Sequence, residues 1–192
     1  LKRVMANLSK PTSINSIFND LKSQGLKVGK DKLYELAEHC CSIFLFFRVP
    51  KYDRSMIKEN SSLPKYYCID NGIRNAVLLP QSDDDGKLLE NTVFLALRRV
   101  LKPCDKILYF QGTKECDFVV QQNDQIVHLI QVTWDMRDKE TRKREIDGIV
   151  EASRVTGCDS LIILTNNEEG EITEEGKTIK ILPVWKWLLF QE

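Results

Sequence analysis

The chain has 192 residues, of which 42% are hydrophobic and 29% are charged, and its formal net charge is zero. This composition is typical of a globular protein with one medium domain or two small ones, and it excludes a disordered chain. Zero net charge excludes a strongly basic nucleic-acid-binding protein but is compatible with a local basic patch. No apolar run approaches the ~18 residues of a membrane span, so we expect no membrane contact.

Cysteine usage indicates the compartment. There are six cysteines and two histidines, and no two cysteines form a Cys-x-x-Cys pair. This spacing argues against a zinc site, and several cysteines lie in apolar runs, which predicts buried, reduced thiols in a cytoplasmic protein. The sequence begins at Leu1 without methionine or a signal peptide, so we expect it to be a piece of a longer protein.

The first part of the chain predicts two short helices. Thr12 or Ser13 is the expected N-cap of a helix with apolar residues at helical spacing, and Gly25 is expected to end it. A second helix is predicted to begin at Asp31 after a glycine-containing turn. Its exposed face mixes acidic and basic residues, so whether this segment contacts DNA stays open.

Two strand-forming runs follow, Ile43–Tyr52 and Lys65–Ile69, with a polar stretch between them. Helix, turn, helix and hairpin is the order of a winged helix, and we predict a winged-helix-like segment over residues 1–62. The dipeptide Asn71-Gly72 is a turn signal, which is typical of a connection between two parts of a chain.

Residues 63–192 predict an α/β domain with the core order α, β, β, β, α, β. The order follows from amphipathic and apolar runs separated by turn residues. The predicted elements are a helix over Leu88–Leu101, strands over Lys106–Phe110, Cys116–Gln122 and Ile126–Trp134, a helix over Asp138–Val155, strands over Leu161–Thr165 and Lys177–Pro183, and a terminal helical turn from Trp185.

Three polar residues mark a candidate site on these elements. Glu90 lies on the first helix, Asp117 opens the second strand and Gln131 lies on the third. The turn at Asn123-Asp124 makes a hairpin of the two strands, so it can bring Asp117 and Gln131 together. The alternative readings are an exposed acid near a helix N-terminus for Glu90, and a buried amide bonded to Asp117 for Gln131.

A helical Glu, then an Asp on a strand, then an (Asp/Glu)-x-Lys strand is the motif of the PD-(D/E)XK nuclease superfamily. The sequence resembles the uncharacterised domain at the C-terminal end of many bacterial and archaeal AAA+-type ATPases, which is related to that superfamily. Four segments carry the resemblance: Leu88–Asn91, Glu115–Val120, Ile130–Val132 and Pro183–Leu189. It implies a restriction-endonuclease-like core over residues 63–192 and an ATPase module, N-terminal in the parent chain, as partner.

The resemblance also implies a metal-dependent chemistry. Glu90 and Asp117 would hold Mg²⁺ or Mn²⁺, and Gln131 would add a weaker third ligand through its amide oxygen. The sequence departs from the motif, because Gln131 and Thr133 stand where the family has the second acid and the lysine. A neutral amide and a hydroxyl supply neither charge, so we expect a degenerate site with weakened metal binding and slowed or lost chemistry.

Other residues are candidates to replace what is missing. Glu115 lies two residues before Asp117 and points to the same side of a strand, so it can add a carboxylate. Lys139 or Lys143, near the start of the following helix, can supply the ammonium group. The alternative for all three is solvated surface charge.

The sequence leaves the function between two hypotheses. One is a metal-dependent nuclease; the other is an inactive module that binds nucleic acid or protein under control of the ATPase, with self-association as a further alternative. There is no glycine-rich phosphate loop of the Walker type, so we expect these residues not to bind ATP. Trp134, Trp185 and Trp187 are either base-stacking residues or core aromatics.

Overall fold

The structure is a computed structural model that describes residues 1–78 and 84–189. The last residues of the predicted domain 63–192 therefore lie outside the described part. The helices are α1 (Lys2–Ala6), α2 (Ile14–Ser23), α3 (Lys30–Ser42), α4 (Met56–Ser61), α5 (Asn71–Val77), α6 (Asp85–Val100), α7 (Lys139–Thr156) and α8 (Val184–Leu189). The strands are β1 (Phe46–Val49), β2 (Lys65–Cys68), β3 (Lys106–Gln111), β4 (Glu115–Gln122), β5 (Gln125–Val132), β6 (Leu161–Thr165), β7 (Gly170–Glu174) and β8 (Lys177–Pro183).

The N-terminal part contains the two predicted helices and a small antiparallel sheet of β1 and β2. Ser13 caps α2, because its side chain accepts a hydrogen bond from the backbone N–H of Ser16, and Gly25 follows the helix with φ of 79°. The predicted boundary between residues 62 and 63 falls between β1 and β2, which pair with each other.

The turn predicted at Asn71-Gly72 is wrong, because these residues begin helix α5. The Asp70 side chain accepts a hydrogen bond of 2.9 Å from the backbone N–H of Ile73, so Asp70 acts as an N-cap. The turn propensity of Asn-Gly was outweighed by this capping interaction.

The second part is built on a six-stranded mixed sheet with strand order β3-β4-β5-β6-β8-β7. Strands β3, β4 and β5 are antiparallel, β5, β6 and β8 are parallel, and β7 is an antiparallel edge strand. Asn123 and Asp124 have positive φ values of 49° and 61° and form the predicted hairpin turn. Strand β7 was missed because its exposed residues make no apolar run.

Both faces of the large sheet are covered, so the sheet is the middle layer of the fold. One face carries a cluster that includes Leu108, Val119 and Ile163 and packs against Ile149 of α7. The other face packs against α6 and the small sheet. Its buried residues are Phe47, Val49, Tyr67, Val93, Phe94, Leu97, Tyr109, Phe118, Val120, Ile130, Val132, Leu164 and Val184. The result is a mixed α/β fold in which β2 lies against the strands that carry the candidate site. No helix among residues 1–78 and 84–189 is long and apolar enough to cross a membrane.

A substitution of Gly148 would test the contact between α7 and β4. A Cβ atom at this buried helical position would lie well under 3.0 Å from the backbone oxygen of Glu115. We therefore expect Gly148→Ala to destabilise the protein by about 1–3 kcal/mol through overpacking, although alanine usually stabilises a helix relative to glycine by ~1 kcal/mol.

Urea unfolding measures this effect against Gly86→Ala, which lies in α6 with no atom within 4 Å of the added Cβ. The control is expected to leave the free energy of unfolding unchanged or raise it. Equal effects of the two substitutions would contradict the packing of α7 on β4.

Candidate functional site

The centre of the candidate site is the ammonium group of Lys65, which is fully buried. Its Nζ lies 3.0 Å from Oδ1 of Asp117, 3.3 Å from Oε1 of Glu90 and 2.6 Å from Oε1 of Glu115. Three carboxylates from a helix and a strand therefore converge on one cation. The predicted residues Glu90 and Asp117 are brought together, and Glu115 joins them.

Strand β2 is buried on both sides, which explains how a lysine comes to lie inside the protein. Tyr66 and Cys68 pack into the core under the N-terminal helices, while Tyr67 packs into the core of the large sheet. Because side chains alternate along a strand, Lys65 and Tyr67 point to the same side, toward the large sheet. The two residues therefore reach the acidic cluster together.

Glu90 and Asp117 are held by further hydrogen bonds. The hydroxyl of Tyr67 donates to Oε1 of Glu90 over 2.6 Å, and the backbone N–H of Val132 donates to Oδ2 of Asp117 over 3.0 Å. Both carboxylates are more than nine-tenths buried. Their orientation is thus fixed by strands β2 and β5, which flank them.

Gln131 contacts the backbone of Asp117, and its second partner is Glu145. Its Oε1 accepts the backbone N–H of Asp117 over 3.1 Å, and its Nε2 donates to Oε2 of Glu145 over 2.5 Å. The other oxygen of Glu145 pairs with Arg144 over 2.5 Å. These contacts make Gln131 a positioning residue between two strands and helix α7.

The ammonium group of the cluster comes from a residue other than the two predicted. Lys143 is exposed and pairs with Asp147 one turn along α7, and Lys139 is exposed at the start of that helix. Sequence reasoning missed Lys65, since a lysine that opens a short strand usually lies at the surface. It also missed Glu145, which stands in a run of alternating charges typical of a solvated helix.

Burial and mutual repulsion shift the protonation of the cluster. Burial, with the added charge of Asp117, raises the pKa of Glu90 to about 8, although Lys65 and the Tyr67 hydroxyl oppose the shift. Burial acts to lower the pKa of Lys65, but the surrounding acids outweigh it and hold that pKa well above its usual value. The surroundings therefore favour the charged form of Lys65 and shift Glu90 toward its protonated form.

The cluster lies at the floor of an open cleft with a volume of about 950 Å³. Glu90, Glu115, Asp117, Gln131 and Glu145 line it on one side, and Lys65 lies behind them. Exposed cations and one exposed aromatic residue also line the cleft: Lys10, Lys114, Arg144 and Trp134. The cleft thus has buried acids at its floor and three exposed cations, together with the exposed Asp85, at its rim.

The predicted metal ligands can be tested against this arrangement. Within the described ranges, no group of three or more His, Cys, Asp or Glu residues is placed to hold a metal ion. Mg²⁺ commonly takes only one or two carboxylates and keeps several waters. Glu90 and Asp117 are the two carboxylates of the cleft that such a site would use, and both are already paired with the Lys65 ammonium.

In comparisons with known proteins, the chain is similar to parts of two longer proteins. No family model matches it. An uncharacterized protein of Methanocaldococcus jannaschii is 32% identical over 198 residues, and the match covers 98% of this chain and 43% of that protein. An uncharacterized protein of Haemophilus influenzae is 24% identical over 186 residues, covering 95% of this chain and 43% of the relative. The chain therefore spans less than half the length of these curated relatives.

A solved assembly also shows a partial likeness. In the tetradecameric assembly of Thermococcus gammatolerans McrB AAA+ hexamers with bound McrC, one chain is similar with a TM-score of 0.37 and 19% identity. The match covers 50% of this chain and 27% of that chain. At this TM-score the likeness carries no argument about fold or function.

Lys65→Met is expected to destabilise the protein strongly. Removal of the ammonium group leaves Glu90, Glu115 and Asp117 close together without a compensating charge, which typically costs ~3–5 kcal/mol. The loss should be larger at pH 8 than at pH 5, since the carboxylates of the variant can be neutralised by protons at low pH. Chemical denaturation at the two pH values measures it.

Lys143→Met is the matched control, because this lysine makes an exposed pair worth less than about 1 kcal/mol. A loss for Lys65→Met no larger than that of the control, or one independent of pH, would contradict a central role of the buried ammonium.

Glu90→Gln is expected to be more stable than the wild type, by an amount that increases with pH. The folded-state pKa of Glu90 is raised from 4.5 to about 8, so the folded state holds a proton that the unfolded state releases. The stability due to this group is present below pH 4.5 and is lost as the pH rises toward 8. Glutamine imitates the protonated form, so the variant avoids the loss.

Urea unfolding at pH 5, 6.5 and 8 measures the difference between Glu90→Gln and the wild type. The gain of the variant should grow with pH and reach the order of 1 kcal/mol or more at pH 8. Glu171→Gln, on the exposed edge strand β7, is the control and should show no such trend. A constant difference across the range would contradict the raised pKa.

Proposed function

We propose that this chain is a nuclease-like domain whose cleft is a metal-dependent phosphodiesterase site acting on nucleic acid. The observation that carries the proposal is the convergence of Glu90, Glu115 and Asp117 on Lys65 at the floor of a cleft with cations at its rim. This set has the same charges as the superfamily motif, three carboxylates and one ammonium, but its ammonium lies outside the cleft, and the Gln131-x-Thr133 segment supplies neither the second acid nor the lysine.

The element order supports a restriction-endonuclease-like core. Helix α6 is followed by β3, β4 and β5, then by α7 and β6, and this is the order that the resemblance implies. Glu90 lies on the helix and Asp117 on the second strand, in the positions that the superfamily motif assigns to its acids. We infer that the remaining strands, β7 and β8, extend this core.

The proposed roles follow from the contacts. Glu90 and Asp117, with Glu115 beside them, would hold Mg²⁺ or Mn²⁺, which when bound stabilises charge on a scissile phosphate. Lys65 does not line the cleft, so its role is to hold the carboxylates together. Arg144 has a guanidinium group at the rim, 62% exposed, that can bind a phosphate oxygen.

We further propose the parent-chain arrangement that the resemblance implies. An ATPase module precedes this chain, and residues 1–62 form a winged-helix-like segment that contacts it. The exposed face of α3 is mixed in charge, with Lys30 and Lys32 beside Asp31, Glu35 and Glu38, and a face without a basic excess is better suited to a protein partner than to the phosphates of DNA. Self-association of two copies of the chain is the alternative by which this face of α3 would be covered. The proposed location is cytoplasmic.

A specific observation favours a second candidate function, an inactive binding module. The ammonium of Lys65 lies at the point where the carboxylates converge and is closed off from the cleft. In this alternative the acids form a structural ion-pair network, and nucleic acid or a protein partner binds in the cleft without being cut.

A cleavage assay separates the two candidates. The protein is incubated with single-stranded DNA, duplex DNA and RNA in Mg²⁺, Mn²⁺ or EDTA. We expect metal-dependent cleavage that falls about 100-fold or more in Asp117→Asn, because the variant loses a charged ligand while keeping an acceptor for the Val132 N–H.

Asp124→Asn, in the hairpin turn outside the cleft, is the matched control and should cleave as the wild type does. Unfolding curves of both variants check that they fold. The absence of cleavage above the Asp117→Asn background on all substrates would reject the phosphodiesterase and favour the binding module.

A further inference from the structure

We propose that the cleft takes single-stranded nucleic acid whose phosphates contact the exposed cations of the cleft, and that Trp134 stacks on one of its bases. The proposal rests on the proposed function, since both place nucleic acid in this cleft. It concerns binding rather than cleavage, so the two can fail separately.

Trp134 is close to the acids along the chain and lies in the same cleft. It follows Thr133 directly, and the backbone N–H of Val132 donates to Oδ2 of Asp117. Two residues of extended chain span ~7 Å at most, so the backbones of Trp134 and Val132 belong to one short stretch of the cleft wall. Trp134 and the acids together line the cleft.

The indole is exposed while its backbone is fixed. Trp134 is 41% exposed, although most large apolar side chains of the sheet are buried. Its carbonyl oxygen accepts the backbone N–H of Asn166, and the N–H of Thr133 donates to Leu164, so parallel strand neighbours anchor the segment. A rigid, exposed aromatic ring in a charged cleft is the kind of platform on which unpaired bases stack.

Charge at the rim fits the backbone of such a strand. Three cations of the lining are exposed, Lys10, Lys114 and Arg144, against one exposed acid, Asp85, whereas Glu90 and Asp117 are nearly buried at the floor. A single strand can place its phosphates along the cations and turn a base onto the indole. In a duplex the faces of the bases are already stacked on one another, so they cannot use this platform.

Ser9 gives an independent indication that the cleft takes a polar ligand. It lines the cleft with φ of 66°, and its Oγ is buried without a hydrogen-bond partner in the described part of the chain. An unsatisfied buried hydroxyl is costly, and left-handed backbone is rare for serine. A phosphate or sugar oxygen of a bound strand would supply the partner once the Ser9 side chain turns toward the cleft that this residue lines.

Fluorescence anisotropy in EDTA tests binding without cleavage. The probes are a labelled thymidine homopolymer, an RNA strand and a DNA duplex of the same length. We expect one or both single strands to bind at least about tenfold more tightly than the duplex. Trp134→Ala should weaken single-strand binding about tenfold, and Trp134→Phe, which keeps an aromatic face, should restore most of it.

Trp185→Ala is the matched control, since Trp185 is 56% exposed on α8 and does not line the cleft. It should bind as the wild type does. Duplex binding as tight as single-strand binding, no binding of any probe, or equal affinities for Trp134→Ala and Trp185→Ala would each overturn the proposal. Binding that depends on Trp134, without cleavage, would support it while rejecting the phosphodiesterase.

Discussion

The arrangement of this protein depends on one buried cation. The ammonium of Lys65 lies among Glu90, Glu115 and Asp117, which could not approach each other in a low-dielectric interior without it. Desolvation of such a group is costly, and only several short ion pairs offset the cost. Because the lysine belongs to the small sheet and the acids to the large unit, the same contacts join the two parts of the chain and assemble the candidate site.

The aromatic packing around β2 makes this burial feasible. The ring of Tyr67 stacks on Phe94 with centroids 4.4 Å apart and lies 5.5 Å from the ring of Phe118. These contacts dock β2 against α6 and β4 and exclude water on the side of the strand that Lys65 shares. Because side chains alternate along β2, the packing of Tyr67 also places Lys65 on the side of the strand that faces the acids. It also brings the Tyr67 hydroxyl to Glu90.

A second set of contacts explains why residue 131 is an amide. Gln131 accepts from the Asp117 backbone and donates to Glu145, and a side-chain amide offers both an acceptor and a donor, whereas an ionised carboxylate offers only acceptors. A glutamate at this position would face Glu145 with a second negative charge. The amide of Gln131 is therefore matched to its neighbour on α7, and Arg144 balances the charge of Glu145.

The sequence by itself determined most of the local structure. Apolar periodicity and capping residues predicted both long helices and the order of the core strands, and the motif spacing selected Glu90 and Asp117. Tertiary structure decided the rest. Lys65 lies 25 and 52 positions from these two partners, so no local pattern links them. The helix that begins at Asn71 and the edge strand β7 likewise depend on contacts with the surrounding structure, so local sequence did not predict them. Local signals report the conformation of neighbouring residues, whereas the burial of a charge depends on which distant strands meet.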